Sequence, residues 1–216
     1  MKRMRLFLAS LVLGICGLAR AQGTLFQPEY WGPNLQLSVG GGIADFSENS
    51  ARHLTTMGGT WDVRLMYLPY SPVAAEVAYV GTANPLNHVM NVYALGGALL
   101  GTQLEGDIRL QTPYVVGTRI PLQPYLFGGV GWCNFELVNQ DFRNPVAIGS
   151  DANVLVLPYG AGLQAYVTPQ FAVDARWTYR AMFDEDMLHV DNHGVAGVST
   201  QGLSQWTLSG RLGYVF

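Results

Sequence analysis

Polar and apolar residues alternate with a period of two along most of the chain. Trp61, Val63, Leu65 and Tyr67 alternate with Thr60, Asp62, Arg64 and Met66, and Ala75, Val77 and Tyr79 with Glu76 and Ala78. Leu100, Thr102, Leu104, Gly106, Ile108 and Leu110 interleave with Gln103, Glu105, Asp107 and Arg109. Phe171, Val173, Ala175, Trp177 and Tyr179 interleave with Asp174, Arg176, Thr178 and Arg180. The last run sets Trp206, Leu208, Gly210, Leu212, Tyr214 and Phe216 against Thr207, Ser209, Arg211, Gly213 and Val215. Such alternation marks strands whose two faces meet different environments. Three less regular runs begin at Leu35, Tyr125 and Leu155, and together they predict eight strands.

Within each run Asp, Glu and Arg keep to the parity opposite the aromatics. A sandwich with its greasy face inward would show the same alternation. Glycine usage favours the reverse: Gly40, Gly42, Gly160, Gly162, Gly213 and Ala78 lie on the polar face, where small groups suit a narrow lumen. The aromatics Trp31, Tyr67, Tyr70, Tyr125, Tyr166, Phe171, Tyr179, Trp206, Tyr214 and Phe216 gather near strand ends, as interfacial girdles would. Connections also alternate in length. Leu68 to Pro72 and Thr168 to Gln170 are short and Gln111 to Pro121 intermediate, whereas Phe46 to Gly58, Thr82 to Gly96, Cys133 to Asn153 and Ala181 to Leu203 are long. The expected fold is an all-β, eight-stranded antiparallel up-and-down transmembrane β-barrel. Its short turns and both termini face the periplasm, and its long loops face outward.

Composition strengthens this picture. Of 216 residues 49% are hydrophobic but only 12% charged, about half the charge of an ordinary soluble domain. A lipid-facing surface does without those charges. Beyond the N-terminus no stretch approaches the ~20 continuous apolar residues of a spanning helix, and an acidic balance argues against nucleic acid as a partner. Lys2, Arg3 and Arg5, then the apolar run Leu6 to Leu18, then Ala19-Arg20-Ala21 compose a signal peptide over residues 1–21, leaving 22–216 as the barrel. That segment keeps 8 arginines and no lysine against 15 acidic residues, a net charge of −7, and Cys133 as its one cysteine. No intrachain disulfide is then possible, and a closed sheet supplies stability instead.

The hairpin Ala74-Ala75-Glu76-Val77-Ala78-Tyr79-Val80-Gly81, the segment Pro124-Tyr125-Leu126-Phe127-Gly128-Gly129-Val130-Gly131 and the ending Trp206 to Phe216 resemble the OmpA-like eight-stranded outer-membrane barrel domains. The resemblance covers roughly residues 33–216 and implies the outer membrane of a Gram-negative bacterium, reached by signal-peptide export. It also implies partners: outer-membrane lipid and lipopolysaccharide around the barrel, and the outer-membrane assembly machinery at the C-terminal strand. The expected assembly signal is Trp206, Leu208, Leu212, Tyr214 and Phe216, although Arg211 stands where the usual signal glycine falls. Larger members carry a peptidoglycan-binding domain; this chain ends at its barrel, so wall anchoring is not implied.

The polar parity collects nine charged residues into one expected lumen network: Asp62, Arg64, Glu76, Glu105, Asp107, Arg109, Asp174, Arg176 and Arg211. Facing lipid, each Arg at the midplane costs about 2–4 kcal/mol; facing one another, they form bidentate Arg–carboxylate bonds. Two roles follow, a plug of ion pairs or a narrow pore with selectivity. No cofactor, metal or catalytic residue is expected. His53, His88, His189 and His193 all fall in expected external loops, without the His-x-Ser arrangement of outer-membrane deacylases. His189 and His193, downstream of Asp184-Glu185-Asp186, are more simply solvated than metal-binding. Cys133 has no base nearby in sequence and reads as a buried or lipid-side small residue. The expected function is therefore a structural, adhesive or narrow-pore role, not an enzyme, with an unknown loop ligand. The alternatives are a secreted lipocalin-like binder of an apolar ligand and an outer-membrane lipid-modifying enzyme.

Overall fold

The computed structural model describes residues 34–69, 72–86, 97–112, 122–138, 151–168, 170–183 and 203–216. The signal segment 1–21, Trp31, Tyr70, His88, His189, His193 and Asp184 to Asp186 lie outside the described residues. Eight strands are present: β1 (Asn34–Phe46), β2 (Gly58–Leu68), β3 (Val73–Pro85), β4 (Ala98–Gln111), β5 (Leu122–Val138), β6 (Asp151–Tyr166), β7 (Phe171–Phe183) and β8 (Gln205–Val215). A single turn of helix, α1 (Asn49–Leu54), carries His53 between β1 and β2. Every strand pairs antiparallel with its sequence neighbours, and β8 closes onto β1 to complete the barrel. Closure leaves no strand edge unpaired, which is what a sheet in hydrocarbon requires.

The faces are assigned by burial. Arg64 and Arg176 on the inner face are 2% and 1% exposed, while Trp61 and Trp177 on the outer face are 49% and 44% exposed. The belt includes Leu65, Val77, Leu104, Ile108, Leu126, Leu163, Val173 and Leu212, all exposed. A lipocalin-like protein would need the opposite disposition. Tyr67, Phe171, Tyr214 and Phe216 ring the end with the short turns. Trp61, Tyr79, Trp132, Tyr159, Trp177, Tyr179 and Trp206 ring the other. From Trp206 to Phe216 the chain rises about 26 Å, at ~3.4 Å per residue and a tilt near 40°. That matches an apolar band of about 25 Å.

Two expectations need correction. Tyr125 and Tyr166 do not join the girdles. Tyr125 is 3% exposed inside the lumen, and the Tyr166 hydroxyl donates to Gln123 Oε1 on the inner face at 3.5 Å. Both parities of β5 are apolar, so hydrophobicity alone leaves its orientation undetermined. Glycines on β6 decide it. A Cβ at Gly162 would overlap the Tyr125 ring, and one at Gly160 would lie 2.9 Å from that of Phe127. The second correction is length. Residues 82–85, 133–138, 151–153 and 181–183 belong to strands, not loops. Above the upper girdle the outer face meets water and the apolar parity inverts. Phe135 and Val154 point inward and are buried, while Asn134 and Asn153 face out and are hydrogen-bonded to each other. Cys133 is buried in the lumen.

Candidate functional site

The lumen is filled in three layers. At the end facing the long connections, Phe46, Leu99, Cys133, Phe135, Val154, Val156 and Met182 form an apolar cap, against which α1 packs Ala51. The helix ends on hydrogen bonds from the Thr55 amide and hydroxyl to the Ala51 carbonyl, both 2.9 Å, and the Arg52–Asp45 ion pair at 3.5 Å links it to β1. At the end with the short turns lie amides and tyrosines beside a small Met66, Leu68 and Ala74 cluster. There Gln164 Nε2 donates to Gln36 Oε1 at 3.0 Å. Between these ends sits the charged layer.

All nine sequence-derived network residues enter this layer, in ion pairs with one another. Arg64 of β2 is the hub. Its guanidinium lies 3.0 Å from Asp107, 3.1 Å from Glu105, 3.4 Å from Asp62 and 3.7 Å from Glu76. Glu76 of β3 and Asp107 of β4 stand directly opposite in register, where like charges destabilise a sheet. Arg176 resolves the conflict from across the lumen, reaching Glu76 at 2.6 Å and Asp107 at 2.7 Å through its two terminal nitrogens. Arg109 lies 3.4 Å from Glu76 and donates to Gln164 Oε1 at 2.6 Å. Asp174 and Arg211 are direct cross-strand partners and form an ion pair. The Tyr125 hydroxyl donates to Asp174 at 2.9 Å and accepts from Arg211 at 3.1 Å.

Three contributors are missing from the nine residues named from the sequence. Arg180 bonds Glu105 at 2.6 Å and Thr207 at 2.9 Å. It shares the parity of Asp174 and Arg176, and counting it balances five arginines against five acids. Tyr125 and Phe127 are the others. Arg109 stacks 3.6 Å from the centroid of the Tyr125 ring and Arg176 3.2 Å from that of Phe127. Each ring is thus sandwiched between a guanidinium and the bare backbone of β6. The signal for this is the pair Gly160 and Gly162 facing two aromatics across a hairpin.

Chemically, the layer is balanced in charge: each acid has an arginine within 4.0 Å and each arginine an acid, while Asp62 Oδ1, Asp107 Oδ1 and the Nε atoms of Arg64, Arg109, Arg176 and Arg211 have no hydrogen-bond partner among the described residues. Carboxylates engaged this way are poor bases or metal ligands. Among the described residues no group of three His, Cys, Asp or Glu is arranged to hold a metal ion.

A family model described as "Outer membrane protein beta-barrel domain" matches residues 8–216. No curated protein matches the chain. Among solved structures, neisserial surface protein A is 16% identical with a TM-score of 0.51, over 84% of this chain and 95% of that one. A major outer membrane protein from Thermus thermophilus is 15% identical with a TM-score of 0.51, over 84% and 99%. The N-terminal barrel domain of Pseudomonas aeruginosa OprF is 15% identical with a TM-score of 0.49, over 86% and 98%. At these identities the likeness is one of fold.

Proposed function

Because the chain belongs to the outer membrane protein β-barrel domain family, and so is a bacterial outer-membrane barrel protein, we propose that its lumen is closed and that its role is structural or adhesive, exercised through the external connections. The observation that carries this reading is the stack of an apolar cap on a neutral ion-pair layer, with Arg64, Arg176, Arg180, Glu105 and Asp107 each no more than 2% exposed. Small barrels fill with side chains, and hydrated ions need a continuous polar path that buried, mutually paired charges do not offer. Planar-bilayer recording tests it directly. Purified barrel should give no steady conductance; a steady channel whose ion selectivity shifts on Arg64→Gln would establish the narrow-pore reading instead.

Two further steps belong to the same proposal. Residues 1–21 direct export, so the N-terminus of the protein recovered from the envelope should be Gln22. The C-terminal strand is read by the outer-membrane assembly machinery through Trp206, Leu208, Leu212, Tyr214 and Phe216. Supporting this, Trp206, Leu208, Leu212 and Tyr214 share the outer face of β8, the strand whose pairing with β1 closes the barrel, and Phe216 follows its last residue. Outer-membrane lipid and lipopolysaccharide are the proposed surroundings of the exposed apolar belt.

A further inference from the structure

The lipid-facing surface of the barrel is unevenly filled. Where Gly81 on β3 brings no side chain, the Trp61 ring covers the place, and a Cβ there would overlap it. At Gly210 on β8 nothing does the same: among the described residues a Cβ would meet no atom within 4 Å. Gly210 stands in register between Gly41 of β1 and Ala175 of β7, so three adjoining strands are nearly bare at one level. A groove of about 580 Å³ opens there, walled by Leu163, Val173, Leu212 and Val39. Asp174 and Arg211 also line it, but their side chains are turned to the lumen and pair with each other, so neither charge reaches the groove. On β8, Gly210 lies midway between Trp206 and Tyr214 of the two girdles, about 10 Å from each at ~3.4 Å per residue and a tilt near 40°. Leu212 and Val173 are cross-strand partners, one outward position from the lower girdle pair Tyr214 and Phe171. The groove therefore runs from the midplane toward the end with the short turns.

We propose that this groove seats one acyl chain of a phospholipid belonging to the leaflet at the short-turn end. A gap beside close-packed atoms forfeits their dispersion contacts, and in an outer-membrane barrel the medium at this depth is hydrocarbon, continuous with the rest of the apolar belt. The apolar walls and the distance from both girdles suit a chain and not a headgroup. Eleven residues line the groove, against about 20–30 a side in a stable protein–protein interface, which disfavours a second barrel as the occupant. The lower end opens beside Tyr214 and Phe171, so the chain enters from that leaflet. It lies across the β1–β8 pairing that closes the barrel, where β1 is Gly40-Gly41-Gly42 and brings no side chain of its own. A chain held there packs the closing seam and exchanges more slowly than lipid elsewhere on the belt. Its seating does not depend on whether the lumen is closed.

The test is photo-crosslinking of the refolded barrel in phosphatidylethanolamine–phosphatidylglycerol vesicles carrying a trace of phosphatidylethanolamine with a diazirine on one acyl chain. Mass spectrometry then maps the adducts. Expected is a several-fold excess on Ala175, Gly210, Val173 and Leu212 over Val77, an exposed residue of the belt on β3. A diazirine near the carbonyl should mark Leu212 and Val173, and one near the methyl end Ala175 and Gly210. Gly210→Leu, whose Cβ has open space, should abolish the excess in a barrel that still folds. An even distribution over the belt, the reverse order along the acyl chain, an excess that survives Gly210→Leu, or a second barrel crosslinked at the groove in place of lipid would each overturn the proposal. If the variant fails to fold, the wild-type map decides alone. Failure of the closed lumen registers separately, as conductance.

Discussion

Replacing Arg64 by Met removes the one guanidinium that touches four carboxylates. Were the lumen water-filled, each contact would behave as a surface ion pair, worth about 0–1 kcal/mol. Arg64 is 2% exposed, however, and its partners are buried. Breaking a buried pair typically costs about 3–5 kcal/mol, largely because the remaining charge is stranded. The stranded charges can be traced. Glu76 and Asp107 keep Arg176, and Glu105 keeps Arg180. Among the described residues Asp62 keeps only Arg211, at 3.9 Å. The loss should therefore concentrate on Asp62, and Asp62→Asn in the Arg64→Met background should recover about 1–3 kcal/mol through coupling between neighbours. Reversible urea unfolding of refolded barrel in detergent, followed by tryptophan emission, measures both values. A cost below about 1 kcal/mol for Arg64→Met, or no recovery in the double variant, would refute the buried-network reasoning.

Other substitutions separate the layers and faces. Gly162→Ala should lower the unfolding midpoint by about 1–3 kcal/mol equivalent, since its methyl group would occupy the place of the Tyr125 ring; full stability would mean the ring is not seated there. Val77→Arg, on the lipid-facing belt and 56% exposed, should cost about 2–4 kcal/mol in liposomes, and a neutral result would place that face in water. Phe135→Ala opens the cap beside the buried Cys133, so a membrane-impermeant maleimide should label the thiol in the folded variant and not in the folded wild type. Phe216→Ala should reduce the amount assembled in cells while leaving detergent refolding unchanged; an equal loss in both assays would make Phe216 a stability residue and not a signal.

Legibility from the sequence follows the solvent. Between the girdles, lipid outside and charge inside give each strand a strong two-fold contrast, and Trp61/Asp62/Arg64 or Trp177/Arg176 can be oriented by eye. Above Trp132 that contrast disappears, because Asn134 and Glu136 face water while Cys133 and Phe135 face the cap. The strand ends there consequently read as loop. On β5 the difficulty is different: Tyr125 and Phe127 enter the lumen because Gly160 and Gly162 on the neighbouring strand leave room, a complementarity that single-strand periodicity does not contain. Nine of the layer's ten charged residues are legible, Arg180 being the exception. Strand directions alone set Asp174 against Arg211 and Arg64 near Glu76, both of them ion pairs. The contacts that cross the lumen are not legible. Arg64 lies opposite Ala78, two positions from Glu76, and its shorter contacts are to Glu105 and Asp107 on the strand beyond.

Depth-resolved quenching of tryptophan emission in bilayers of bromine-labelled phospholipid tests the inside-out assignment most directly. Trp61, Trp132 and Trp177 project from the outer face, so bromines on the acyl chains should quench strongly and aqueous acrylamide weakly. Efficient acrylamide quenching with silent bromolipids would mean that the aromatic face is not in hydrocarbon, and the charged interior would then need another explanation.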